Sequence, residues 1–163
     1  MSSINVKVDG DKRRLMKRLQ MLGNVDLKGV NKSIAEGLRT STMERFRTEK
    51  DPEGKKWKTS IRAREEGGKT LTKSAKLKTS IRSTASAYGF AVGTNDIRAA
   101  TLQFGDERTI KPRRGPVLRF QINGRWISAK EVHVKIPARP FLGISDDDDK
   151  EIRKALEQAL EES

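Results

Sequence analysis

Ile4, Val6 and Val8 alternate with polar residues, the period-2 pattern of a short strand, and Gly10 closes it. The period then changes. Leu15, Met16, Leu19 and Leu22 recur at helical spacing with Arg and Lys on the other face, which predicts a helix over 11–22. Gly23-Asn24 is its stop signal. From Asp26 to about Thr48 a second stripe runs through Leu27, Val30, Ile34, Leu38, Thr42 and Phe46, mostly four residues apart. Two helices joined by so short a break form an αα-hairpin.

Turn chemistry organises the middle of the chain. In Asp51-Pro52-Glu53-Gly54 the proline presets φ and the glycine permits positive φ. Trp57 comes next, and the polar stretch 58–69, with Gly67-Gly68, reads as a mobile loop. Leu71, Leu77 and Ile81 predict a short helix or turn around 74–79. Strands are expected at 81–86 and 88–93, a hairpin joined by small residues. Asp96–Phe104 reads as a short helix ended by Gly105, and 106–116 as a basic loop bounded by proline and glycine. Alternation over 117–122 gives a strand, Asn123-Gly124 a tight hairpin turn, and 125–128 the return strand. Val132, Val134 and Ile136 alternate again. The last helix carries Ile152, Ala155, Leu156, Ala159 and Leu160 on one face. Ser145 and Asp148 form a capping-box-like start, and four aspartates favour the positive end of its dipole.

The sum is an α+β fold: an antiparallel sheet of roughly four to six strands packed against an N-terminal αα-hairpin and a C-terminal helix. At this length one domain is expected over 1–163, with a helical part at 1–50, a sheet with long loops at 51–145 and an acidic helix at 146–163. Between the last strand and the last helix lies IPARPFLGIS, 136–145. Its two prolines fix φ twice, remove two backbone donors and push the preceding residues toward extended conformations. The segment is a stiff strap bearing Arg139 and the apolar pair Phe141 and Leu142. Such a strap suits the holding of a surface better than it suits chemistry.

Hydrophobic residues make up 34% of the chain and charged residues 35%, a thin core for 163 residues that an obligate oligomer would explain. The net charge of +13 is uneven. Residues 146–163 hold eight acids and three bases, net −5, which leaves +18 on the rest. A basic body and an acidic tail helix point to nucleic acid, to a neighbour's oppositely charged surface, or to solvated faces only. No apolar run approaches the ~20 residues that cross a bilayer, and no secretory signal opens the chain, so no membrane partner is expected and synthesis in a cytoplasm is.

Catalytic chemistry finds no foothold. There is no cysteine, which excludes disulfides and thiolate sites, and the single histidine, His133, sits in an alternating strand pattern as a structural or solvent-facing imidazole. One histidine without cysteine makes no zinc site, and phosphate and dinucleotide loops are absent. No cofactor or metal is expected, and no enzyme. Lys55-Lys56-Trp57-Lys58 and the loop tip Lys111-Pro112-Arg113-Arg114 could grip phosphates, with Trp57 stacking a base. The competing reading makes Trp57 a buried anchor for its loop.

Four segments, in order, resemble the phage virion morphogenesis family, the tail completion proteins of Mu-like phages and prophages. They are Phe46 with DPEGKKW at 51–57, LTKSAKLKTSI at 71–81, VGTNDIRAATLQFG at 92–105, and IPARPFLGIS at 136–145 with the acidic helix after it. Together they span roughly 30–160. The chain departs at Ser74-Ala75, where the family often has Thr-Gly, and at Arg98-Ala99-Ala100, where an aromatic-Ala pair is common. The resemblance implies a non-enzymatic virion protein at the head-proximal end of the tail, which completes or terminates the tail or joins it to the head. Related tail-terminator folds form rings, commonly hexameric. The implied partners are further copies of the chain, tail tube or sheath proteins, head–tail connector or neck proteins, and DNA passing through the lumen. Expected contact residues are Trp57, Arg113, Arg114, Arg139, Phe141, Leu142, Asp146, Asp147, Ile152 and Leu156, with 146–162 or 106–116 meeting a neighbouring subunit. For Phe141 and Trp57, a place in the chain's own core is an equal alternative. A basic nucleic-acid-binding protein is the second function class.

Overall fold

The computed structural model describes residues 4–6, 11–21, 23, 25–122 and 124–162. In chain order these form β1 (Ile4–Val6), α1 (Asp11–Met21), α2 (Leu27–Thr48), α3 (Ile61–Glu65), α4 (Lys76–Thr79), β2 (Arg82–Ser86), β3 (Gly89–Thr94), α5 (Ala99–Phe104), β4 (Asp106–Ile110), β5 (Leu118–Ile122), β6 (Arg125–Ala129), β7 (Val132–Ile136) and α6 (Asp146–Glu161). The α+β class expected from the periodicities is what is found. Of the residues that carried those expectations, Val8, Gly10, Leu22, Asn24 and Asn123 lie outside the described ones.

Among the described residues the expected single sheet is instead three small antiparallel ones: β1-β3-β2, β4-β7 and β5-β6. The reason is topological. After β3 the chain turns into α5, and Gly105 starts a ladder in which Asp106 faces Ile136 and Ile110 faces Val132. That ladder binds the strap's first residues and not the edge of the body sheet. β5 and β6 then form their own hairpin, with Leu118 opposite Ala129 and Ile122 opposite Arg125.

Two segments read as loops carry structure. Residues 58–69 contain α3, because the hydroxyl of Ser60 caps it by accepting from the Ala63 amide. Arg62 then ties the loop back by donating to the carbonyls of Gly67 (3.3 Å) and Lys69 (2.6 Å). Residues 106–110 form β4, which the basic composition of 106–116 hid. Its partner β7 lies more than twenty residues away and no local signal announces the pairing.

α2 is the spine of the body. Asp26 caps it by accepting from the Gly29 amide, and Glu49 ends it in the left-handed region at φ 56°. Its buried face is Leu27, Ile34, Leu38, Thr42 and Phe46, as its stripe predicts, and also Asn31, Ala35 and Arg45. This face packs across β2 and β3 on one side and meets α6 on the other. α6 contributes Ile152, Leu156 and Ala159, and the core closes on Trp57, Leu77, Ile81, Val92, Phe141 and Leu142. Each of the Val, Leu, Ile and Phe side chains among these contributes about 1.5–3 kcal/mol when fully buried.

Candidate functional site

The strap at 136–145 is where the separate motifs of the sequence meet. Phe141 is wholly buried, with its ring 5.3 Å from that of Phe46, itself wholly buried. Phe46 makes an edge-to-face contact with Trp57 at 5.5 Å. The indole Nε1 of Trp57 donates to the carbonyl of Pro140 at 2.8 Å. Pro52, from the turn before Trp57, lies against Gly143, where a Cβ would fall 2.5 Å from the proline ring. The first motif thus grips the strap from one side.

The Gln103-Phe104-Gly105 motif grips it from the other. The Oε1 of Gln103 accepts from the amides of Phe141 (3.0 Å) and Leu142 (3.1 Å), and its Nε2 donates to the Leu142 carbonyl (2.9 Å). The carbonyl of Leu102 accepts from the Arg139 amide at 2.7 Å. Gly105 has φ 77°, and a Cβ there would stand 2.9 Å from both the Ile136 carbonyl and the Ala138 amide nitrogen. Only glycine allows that approach. An extended segment cannot satisfy its own backbone groups, and here one glutamine side chain does so for two consecutive residues.

A buried ion pair fixes the strap's far end. Arg45 of α2 donates through Nη1 to the carbonyls of Phe141 (3.0 Å) and Gly143 (2.9 Å). Its Nη2 reaches Asp148 Oδ2 at 2.6 Å, with both side chains less than a tenth exposed. Burial pulls the Arg45 guanidinium below its ordinary value, and Asp148 offsets part of that. The same carboxylate oxygen accepts from the amide (2.8 Å) and hydroxyl (2.7 Å) of Ser145, and the Ser145 hydroxyl accepts from the Asp148 amide (3.1 Å). The capping box expected at α6 is therefore present, and it doubles as the anchor of α6 on α2.

Two surfaces spring from this junction. One is an arm, 106–136, which leaves the body after Gly105 and returns at the strap. It holds eight bases and three acids. In β5–β6, Leu118, Phe120, Ile122, Ile127 and Ala129 share one face, and that ladder joins no other sheet. Trp126, on the opposite face, is 75% exposed. In β4–β7 the polar face puts His133 Nε2 2.9 Å from Glu107 Oε1, with Lys135 also on Glu107 at 3.5 Å. These partners hold the Glu107 carboxyl below its ordinary range, His133 contributing most. The other surface is the outer face of α6, where Asp146, Asp147, Glu151 and Glu157 are exposed. Asp147 pairs with Lys150 at 3.0 Å.

The contact residues expected from the sequence divide in two. Arg113, Arg114, Asp146 and Asp147 are exposed, the first two on the arm's loop and the others at the start of α6. Trp57, Phe141, Leu142, Ile152, Leu156 and Arg139 are buried in this chain's own fold: the first five sit in the core and not as exposed anchors, while Arg139 also lines a pocket. Ile152 and Leu156 face α2 because the stripe that made α6 amphipathic is satisfied within one protomer. Arg139 is 7% exposed, with Nε donating to the Lys58 carbonyl at 2.7 Å. Trp57 is also lost as a platform for base stacking, since its ring is packed on Phe46.

Sequence reasoning passed over three groups of consequence. Arg45 looks like a solvated residue of a basic helix, although its place one before Phe46, on the apolar stripe, marks it as inward-facing. Gln103 carried no signal beyond its motif. Trp126 follows a tight turn in an alternating strand, which gave no sign that its ring would stand in solvent. Among the described residues, no group of three His, Asp or Glu side chains is placed to hold a metal ion, and no helix is long and apolar enough to cross a membrane.

Comparison with known proteins adds one finding. The model of the phage virion morphogenesis family matches residues 10–161, nearly the whole chain. No curated protein and no solved structure matches it.

Proposed function

We propose, for a chain that belongs to the phage virion morphogenesis family, a ring of identical subunits at the junction of tail and neck. Membership itself implies a structural or assembly role in the virion and not catalysis. The finer reading is that the protein completes or terminates the tail and helps join it to the head. Its neighbours are then further copies of itself, the end of the tail tube or sheath, and the connector proteins of the head.

One observation carries this reading: the junction at the strap presents two surfaces of opposite charge, the basic arm 106–136 and the acidic outer face of α6, from one rigid centre. Opposite, non-identical patches on one protomer favour head-to-tail association, and such association closes into a ring when the rotation per subunit permits. The apolar face of β5–β6, on which Ile122 and Ile127 are exposed, supplies the burial that charge alone does not. DNA passing through the lumen would meet the arm's arginines only weakly, because tight binding would oppose ejection.

Electron microscopy of particles made without this gene tests the reading. Overlong tails identify a terminator, and finished tails beside filled, unattached heads identify a joiner. Normal joined virions refute both.

A further inference from the structure

Arg139 and Arg45 are both buried arginines of the strap junction, and they differ in one respect. Arg45 has Asp148. Arg139 has no carboxylate within ion-pair distance among the described residues, and its only side-chain hydrogen bond there is from Nε to the Lys58 carbonyl. Arg139 lines a pocket of about 580 Å³ at the base of the arm. Burial lowers the Arg139 pKa with no charged group to oppose it. A desolvated guanidinium with free donors is costly unless something completes it.

The rest of the pocket has the same bias. Arg62, Lys73, Arg98 and Arg108 line it, and no acid does. Three of these have partners outside it: Lys73 with Glu66, Arg98 with Asp96, and Arg108 with Asp106. Among the described residues Arg62 bonds only backbone carbonyls, so Arg62 and Arg139 are the two pocket cations without a carboxylate there. Leu77, Leu102 and Ile136 form apolar wall between them.

We infer that this pocket binds a carboxylate on an apolar stem, a glutamate side chain offered by the α6 face of a second copy of this chain. A guanidinium fork suits a planar carboxylate, and the apolar wall suits the two methylenes beneath it. The acids of this chain concentrate in its last helix, where Glu151 and Glu157 are exposed. A nucleic-acid phosphate would satisfy the cations and leave the apolar wall unused. The source of the carboxylate rests on the ring reading; the pocket's chemistry does not.

Titration of the full chain with N-acetyl-glutamate amide, followed by the NMR methyl signals of Leu77, Leu102 and Ile136, tests the pocket. The expected result is saturable shifts with the glutamate probe and none with its glutamine analogue. Arg139→Lys should weaken binding by about tenfold, the loss expected for a charge-assisted bond. Arg139 also supports the strap, so Arg62→Gln carries the test if that variant fails to fold. Equal shifts with the glutamine analogue, or no shifts, overturn the pocket; an equal response to inorganic phosphate overturns the glutamate. A Glu151→Lys, Glu157→Lys chain should self-associate about tenfold more weakly if α6 is the source, and unchanged association overturns that source. Normal virions without the gene would remove the ring reading and leave the titration standing.

Discussion

At the scale of single residues, backbone strain and buried charge make the sharpest predictions. Ala75 adopts φ 52° at the start of α4, in the left-handed region that favours glycine. Glycine adopts that region without a steric penalty, so Ala75→Gly should stabilise the protein. Relief of the left-handed strain, about 1–2 kcal/mol, exceeds the entropy that glycine adds to the unfolded chain, about 0.5–1 kcal/mol. Urea denaturation should show a higher midpoint at unchanged slope. Asp148→Ala should do the opposite. It leaves Arg45 buried without its counter-charge, which costs about 3–5 kcal/mol. The double variant Arg45→Met, Asp148→Leu should recover much of that loss, and calorimetry of the three chains would show it.

At the scale of elements, the arm is separable from the body, whereas the strap and α5 are tied into it. Replacing 107–135 by a short glycine-serine turn should leave the melting temperature within a few degrees, because the β4–β7 and β5–β6 ladders join no body sheet. The same deletion should abolish self-association if the arm is an interface. Gly105→Ala, by contrast, should lower the melting temperature sharply, since its Cβ meets two backbone atoms of the strap that cannot withdraw. α5 gives a pH dependence. Asp96 Oδ1 accepts from the guanidinium of Arg98 and from its amide, and these, the guanidinium most, hold its carboxyl below the ordinary range. A depressed carboxyl contributes stability that is complete above its unfolded pKa, about 3.9, and lost as pH falls through the folded value. Asp96→Asn should therefore flatten the acid limb of the stability curve below about pH 4 and leave its slope near pH 7 unchanged.

At the scale of the whole molecule, charge separation is the organising fact. The last 18 residues carry −5 and the remainder +18. Association between arm and α6 should therefore weaken as salt rises, with a loss spread over about 0.1–0.5 M as the screening length falls below the size of the contact. Sedimentation at several salt concentrations would measure it. Salt-insensitive association would shift the weight to the apolar face of β5–β6.

The amino-acid sequence alone determined which stretches are helix or strand wherever a local signal existed. The stripe of α2, the turn at 51–54, the alternation of β7 and the cap of α6 are all set within a few residues of themselves. It also placed the four family motifs in order. Only the tertiary structure decided what those motifs are for. Pro52 with Trp57 and Gln103 with Gly105 come from segments far apart in the chain and converge on the strap because each satisfies a backbone or packing need that an extended, proline-bound segment cannot meet itself. The same holds for β4, legible only through its ladder to β7, and for Phe141 and Leu142, which read equally as exposed anchors or as core. Burial is a property of neighbours, and neighbours distant in sequence leave no periodic trace.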